Sequence, residues 1–438
     1  MDFGFEGYRA DDEKISPELK VATSVSENEL LNSAELSSGY VEQLKEWEVI
    51  IKYNGNFDVI KDNYKVSGVD VGFGYGIITV DDRKIESLSN DPRIIYIDKP
   101  KDFYFEAYDV KSLAVSDMFR DANEYGVMVG IIDSGIDYYN SDFYTIDASG
   151  YKHTLVYELY DQQTERVMTY EDINRDINSG RYKNIDNRGH GTAVASIITD
   201  GLRDIKYKLV VVRLLNSNSS ASPNTTAFLK ALKYVSDRAK EEQLPLVINL
   251  SYGNNYGDHS GGSILEEYID SLSSSMRVNI VTGMGNAANL RRHAQFVLGN
   301  KSREMVELTI GDFQPSLSVQ VWRRLIDIVD IAIVSPDNIE YGPLNRFTDV
   351  NEFLLPDISI YAVDGISPFS PYRETYISFI PKSEYIYPGV WKIIFIPKSI
   401  QSGRVDLWLP SSDTINLDTG FLKPAINTTL TVPASSNS

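Results

Sequence analysis

The chain has 438 residues, with 62 Asp+Glu against 42 Lys+Arg and a formal net charge of −20 at pH 7. Hydrophobic residues at 42% and charged residues at 24% suit a globular protein of about two to four domains, and exclude disorder over most of its length. The acidic balance argues against nucleic acid or an anionic membrane surface as main partner, since both demand a cationic face. With no cysteine, there is no disulfide, thiolate nucleophile or cysteine-bound metal. No run approaches the roughly 18 apolar residues that span a bilayer. The N-terminus MDFGFEGYRADDEK lacks the basic and apolar regions of a secretory signal peptide, so an intracellular location is expected.

Residues 1–45 are polar and rich in Ser and Glu, and read as a loosely ordered extension with ENELLNSAEL as its one helical stretch. Residues 46–100 give a small α+β unit: strands WEVIIKY, GIITV and RIIYI, with a short helix in DDRKIESLSND that places Ile85 and Leu88 on one face. From 101 to 300, near-continuous apolar runs alternate with helical patterns. VMVGIID, KLVVVRLL, PLVINLSY and RVNIVTGM have the composition of parallel strands buried on both faces. Between them, TAVASIITDGL, NTTAFLKALKYVSDRAKEE and SILEEYIDSLSSS carry apolar residues at helical spacing. This alternation predicts an α/β fold with a doubly wound parallel sheet. From 301 to 425 the helical period disappears, and seven β-type runs separated by Gly, Pro, Asp and Asn predict a sandwich or jelly roll. Residues 426–438, TTLTVPASSNS included, read as the start of a return to the α/β domain.

Four histidines occur, and His190 stands out, flanked by glycines in RGHGTAVASI at the start of a helix. That position lies near the carboxyl edge of a parallel sheet, where clefts form. Asp133 ends a buried strand in VGIIDSGID. Each has a plain structural reading, a helix-capping histidine and a strand-end Asx turn with Asp137. Together they suggest a carboxylate holding a histidine in the tautomer that accepts a proton from serine.

On the Asp and His motifs, the chain resembles the subtilases, the subtilisin-like serine peptidases. The resemblance implies catalytic roles for Asp133 and His190. It also implies an oxyanion-hole role for Asn286 in VTGMGNAAN, and a substrate-pairing strand at Ser251, Tyr252 and Gly253 in INLSYG. It further implies that the 46–100 unit is a propeptide, folding aid and inhibitor, whose C-terminal strand lies in the active-site cleft. Self-cleavage is then expected between about Tyr96 and Phe105, on either side of the 99–101 segment. The β-rich block following Asn286 resembles the jelly roll of the Csp germination peptidases of spore-forming clostridia, which implies a spore-associated location. The family implies a protein or peptide substrate; it requires no cofactor and allows structural calcium, although no segment here has a nameable ligand spacing.

The pattern breaks at the nucleophile. The family's Gly-Thr-Ser motif is absent. Ser263 precedes Asn286 and reads as a helix N-cap, and Ser134 adjoins Asp133. The expected function is a serine endopeptidase whose serine lies beyond Ser438, leaving the chain inactive as it stands. The alternatives are a non-catalytic pseudoprotease that signals by binding, or a partner- or carbohydrate-binding protein acting through the β block. In that last case Trp322, Trp391 and Trp408 would supply a binding face.

Overall fold

The computed structural model describes residues 14–105, 126–202, 205–215, 222–287, 289–344, 350–411, 415–425 and 431–436. At its centre is a six-stranded sheet in the order Arg166–Thr169, Val156–Asp161, Tyr207–Arg213, Val127–Asp133, Leu246–Leu250 and Val278–Thr282. All its pairings are parallel except the one made by the edge strand Arg166–Thr169. The central strand Val127–Asp133 is buried along its whole length, as its apolar run predicts. Its side chains alternate between two helical layers. Met128 and Ile132 pack with helices Thr225–Glu241 and Ile264–Ser275, while Val127, Val129 and Ile131 pack with helix His190–Gly201. Asp133 shares the parity of the second set, so strand geometry alone turns it toward the helix that begins at His190.

The expected loose extension is a correction. From residue 14 the chain is folded, with helices Pro17–Ser24, Glu27–Leu31 and Ala34–Ser37 burying Leu19, Val21, Leu30 and Leu36. The capping box of Ser26 and Glu29 starts the second helix. These helices join a five-stranded antiparallel sheet that includes Glu46–Tyr53, Tyr75–Asp81 and Ile94–Asp98. The strands Glu46–Tyr53 and Tyr75–Asp81 are covered on both sides. Ile50, Tyr75 and Ile77 pack into the helices of the α/β body, whereas Trp47, Val49, Ile51, Ile78 and Val80 share a core with Tyr361, Val363, Tyr376 and Ile380 of the β block. The N-terminal unit is therefore wedged between the other two parts of the molecule. Glu48 reinforces one side through Lys230, 2.9 Å away.

The β block consists of two antiparallel sheets around one shared core. One runs His293–Val297, Arg404–Trp408, Leu317–Arg324, Tyr372–Pro381, Ile358–Ile366, Asn351–Leu354; the other runs Glu340–Tyr341, Ile328–Val334, Gly389–Ser399, Glu304–Ile310, Gly420–Phe421. Trp322, Trp391 and Trp408 are all buried, so they supply no aromatic binding face. Trp408 is stacked between His259 and His293, each at 3.8 Å between ring centroids. After the block, Val432 pairs with Asn254 through N–H···O bonds of 2.8 and 3.1 Å, and the Thr431 amide donates to the Met284 carbonyl.

Candidate active site

Asp133 and His190 meet at the carboxyl edge of the sheet. Asp133 is fully buried, and its Oδ1 lies 2.8 Å from His190 Nδ1 while also accepting the Ser134 amide at 2.7 Å. Burial pushes the Asp133 carboxyl above the usual range, against the bond to His190 and the Ser134 amide. Gly191 permits this approach: a Cβ there would stand 2.2 Å from the Gly135 carbonyl and 3.1 Å from Asp133. His190 Nε2 is buried with no hydrogen-bond partner among the described residues. A neutral imidazole held through Nδ1–H thus has a free acceptor at Nε2.

A residue that sequence reasoning passed over organises this pair. The His190 helix is entered through Gly189, whose φ of 75° suits glycine and which has no side chain to cap the helix. Asp186 does the capping instead. Its carboxylate accepts the Gly189 and Thr192 amides at 2.9 Å each, the Thr192 hydroxyl at 2.6 Å and the Ser134 hydroxyl at 2.8 Å. Ser134 Oγ in turn accepts the Gly191 amide at 3.0 Å. Burial pushes the Asp186 carboxyl up, but the Thr192, Ser134 and Gly189 donors outweigh it and hold it below the usual range. Asp186 and Ser134 therefore tie the Asp133 strand end to the His190 helix start. The signal available in sequence was an acid four residues before the histidine in DNRGHGT.

The segment Tyr252–Gly253 pairs antiparallel with Tyr104–Phe105, Tyr252 opposite Phe105 and Gly253 opposite Tyr104. Phe105 brings its ring to 4.3 Å from that of His190 and 4.6 Å from that of Tyr252. Ser251 precedes this pair and accepts a hydrogen bond from Asn249 at 2.7 Å. The 99–101 segment, favoured on sequence for self-cleavage, lies elsewhere. Lys99 is buried with its ammonium on the Glu35, Ser38 and Pro100 carbonyls, and Lys101 is paired with Glu18 and Asp98. Among the described residues of this segment it is Phe105 that reaches His190; the residues that follow, 106–125, lie outside the described set.

Asn286 sits beyond the last strand of the parallel sheet, exposed, with no side-chain hydrogen bond among the described residues. Ser263 is a helix N-cap, in a capping box with Glu266. No group of three or more His, Asp or Glu among the described residues is placed to hold a metal ion. No described helix is long and apolar enough to cross a membrane.

Comparison with known proteins fits this geometry. Residues 13–101 match the Csp protease B prodomain family, and residues 124–376 match the subtilase family. The solved structure of the Clostridium perfringens CspB protease is similar, at 29% identity and a TM-score of 0.65, covering 74% of this chain and 70% of that one. Among curated proteins none matches. The subtilase match takes in more than half of the chain, including Asp133 and His190: the chain belongs to the subtilase family of serine peptidases.

Proposed function

We propose that this chain is the prodomain-bearing part of a serine endopeptidase that works through an Asp133–His190–Ser triad, with the serine carried by residues that follow Ser438. The observation that carries this reading is His190, held by Asp133 at Nδ1, with no partner for Nε2 among the described residues and its ring against a peptide strand that already occupies the cleft. In the reaction, Nε2 takes the serine proton as the hydroxyl attacks the scissile carbonyl, and later returns it to the leaving amine. Asp133 fixes the tautomer and stabilises the imidazolium without itself being protonated. The Asn286 amide donates to the tetrahedral oxyanion, a contribution of roughly 3–4 kcal/mol in enzymes of this kind. Ser251, Tyr252 and Gly253 hold the substrate backbone, as Tyr252 and Gly253 hold residues 105 and 104 here.

The N-terminal unit acts as prodomain and inhibitor, burying sheet faces against both neighbours and running its last strand through the cleft. Self-cleavage is assigned to a bond shortly after Phe105. The β block is read as a jelly roll, because its order of 293–297, 404–408, 317–324 and 372–381 against 304–310, 389–399 and 328–334 follows two interleaved Greek keys. A role in spore germination is the biological proposal that accompanies the Csp likeness. Expression of the uninterrupted reading frame tests the reading. The wild-type product should be processed with a new N-terminus just past Phe105, and His190→Ala should remain unprocessed. Processing of His190→Ala in a protease-free translation system would refute it.

A further inference from the structure

The strand that enters the cleft carries two aromatic side chains on one side. Side chains alternate along it: Asp102 turns to Ser38, accepting its hydroxyl at 2.7 Å, and Tyr104 turns to a small cavity lined by Glu35, Tyr256 and Tyr376. Phe103 and Phe105 turn the other way, into the α/β body. Phe103 is buried with its ring centroid 4.8 Å from that of Phe228. Phe105 packs on His190 and Tyr252, and the Arg188 guanidinium lies 5.0 Å from its ring centroid. Phe228 and Tyr252 are themselves in contact, with ring centroids 5.4 Å apart. The two rings therefore occupy one continuous aromatic trough along the substrate-pairing segment. Its walls (Arg188, His190, Phe228 and Tyr252) all belong to the α/β body and stay behind when the N-terminal unit departs.

We infer, on the peptidase reading above, that the mature cleft selects peptides with two aromatic residues spaced one residue apart. The first sits on Phe228, the second between His190 and Tyr252 beneath Arg188. Arg188 is the specificity-determining residue at the second position. Leucine can fill the space that Phe105 fills and keep its apolar contact with Tyr252, but it has no ring face to attract the guanidinium. Alanine at either position leaves apolar wall in water.

The test uses the processed full-length enzyme and internally quenched peptides built on residues 101–110, carrying Phe-Tyr-Phe, Phe-Tyr-Leu, Phe-Tyr-Ala or Ala-Tyr-Phe at 103–105. Replacing either Phe by Ala should lower kcat/KM roughly 10- to 100-fold. Leu at the second position should lower it about 2- to 5-fold. Arg188→Ala should bring the Phe-to-Leu ratio at that position close to one and leave the Phe-to-Ala ratio at the first position unchanged; Arg188→Lys should retain part of the preference. Equal kcat/KM for all four peptides, or a Phe-to-Leu ratio indifferent to Arg188→Ala, would overturn the inference. Hydrolysis of none of them would instead overturn the peptidase reading on which it rests.

Discussion

Replacing Glu374 with Gln should flatten the pH dependence of the chain's stability. At the joint between the N-terminal unit and the β block, Lys101 Nζ lies 3.3 Å from both Glu18 and Asp98. Burial first, then the charges of Glu18 and Asp98, push the buried Glu374 carboxyl well above the usual range, with Lys101 opposing. Asp98 is also raised, again chiefly by burial. Between the ordinary glutamate value of about 4.3 and the raised one, the folded chain holds a proton that the unfolded chain has released. Stability is therefore full at low pH and falls as pH rises, by about 1.4 kcal/mol per pH unit for each such proton. Glu374→Gln removes one such proton from this difference, so the variant's stability should fall less steeply than the wild type's as pH rises above the ordinary glutamate range. Removing one carboxylate also lowers the affinity of its neighbours for protons, so the rest of the cluster does not restore the slope. Lys99, lowered by burial to about 8, works in the opposite direction and only above that pH, which leaves pH 5–8 clear. Guanidinium unfolding of both proteins by tryptophan fluorescence, at one-unit steps from pH 5 to 8, measures the difference. Parallel curves would refute the reasoning.

Asp186→Ala should cost about 1–2 kcal/mol of stability through the lost cap of the His190 helix. It should also lower kcat of the full-length enzyme more than it raises KM, since it loosens His190 without touching substrate; an unchanged kcat in peptide hydrolysis would contradict this. Ile77→Ala, in the sheet face buried against the α/β body, should weaken docking of the cleaved prodomain by about 2–4 kcal/mol. Size-exclusion chromatography of the processed protein should then show the prodomain separating, and wild-type retention would count against the interface.

The parallel strands were legible because strands buried on both faces need no polar alternation, and the apolar runs leading to Asp133 and Arg213 have none. His190 was legible because its neighbours Gly189 and Gly191 mark a tight entry to a helix. The N-terminal helices were not, because their buried residues, such as Leu19, Val21 and Leu36, are few among polar ones, and the surface that covers them comes from residues more than 300 positions away. The strand His293–Val297 was hidden for a similar reason: His293 and Gln295 look solvent-facing in sequence, yet both bond Asp406 across the sheet. Asp186 acts through four hydrogen bonds to Gly189, Thr192 and Ser134, a partnership that only the folded loop brings together. The tryptophans could not be placed from sequence, because a large ring fills a core as readily as it lines a binding face, and composition does not distinguish the two.

The account rests on Asp133 and His190 activating a serine supplied after Ser438, and labelling with a fluorophosphonate probe tests that most directly. The 438-residue chain, the product of the uninterrupted reading frame and its His190→Ala variant would be treated in parallel, with the labelled residue mapped by mass spectrometry. The account predicts stoichiometric labelling of the full product at one serine beyond Ser438, loss of that labelling in His190→Ala, and no reaction of the 438-residue chain. Labelling at a serine within residues 1–438, or no labelling of the full product at all, would contradict it.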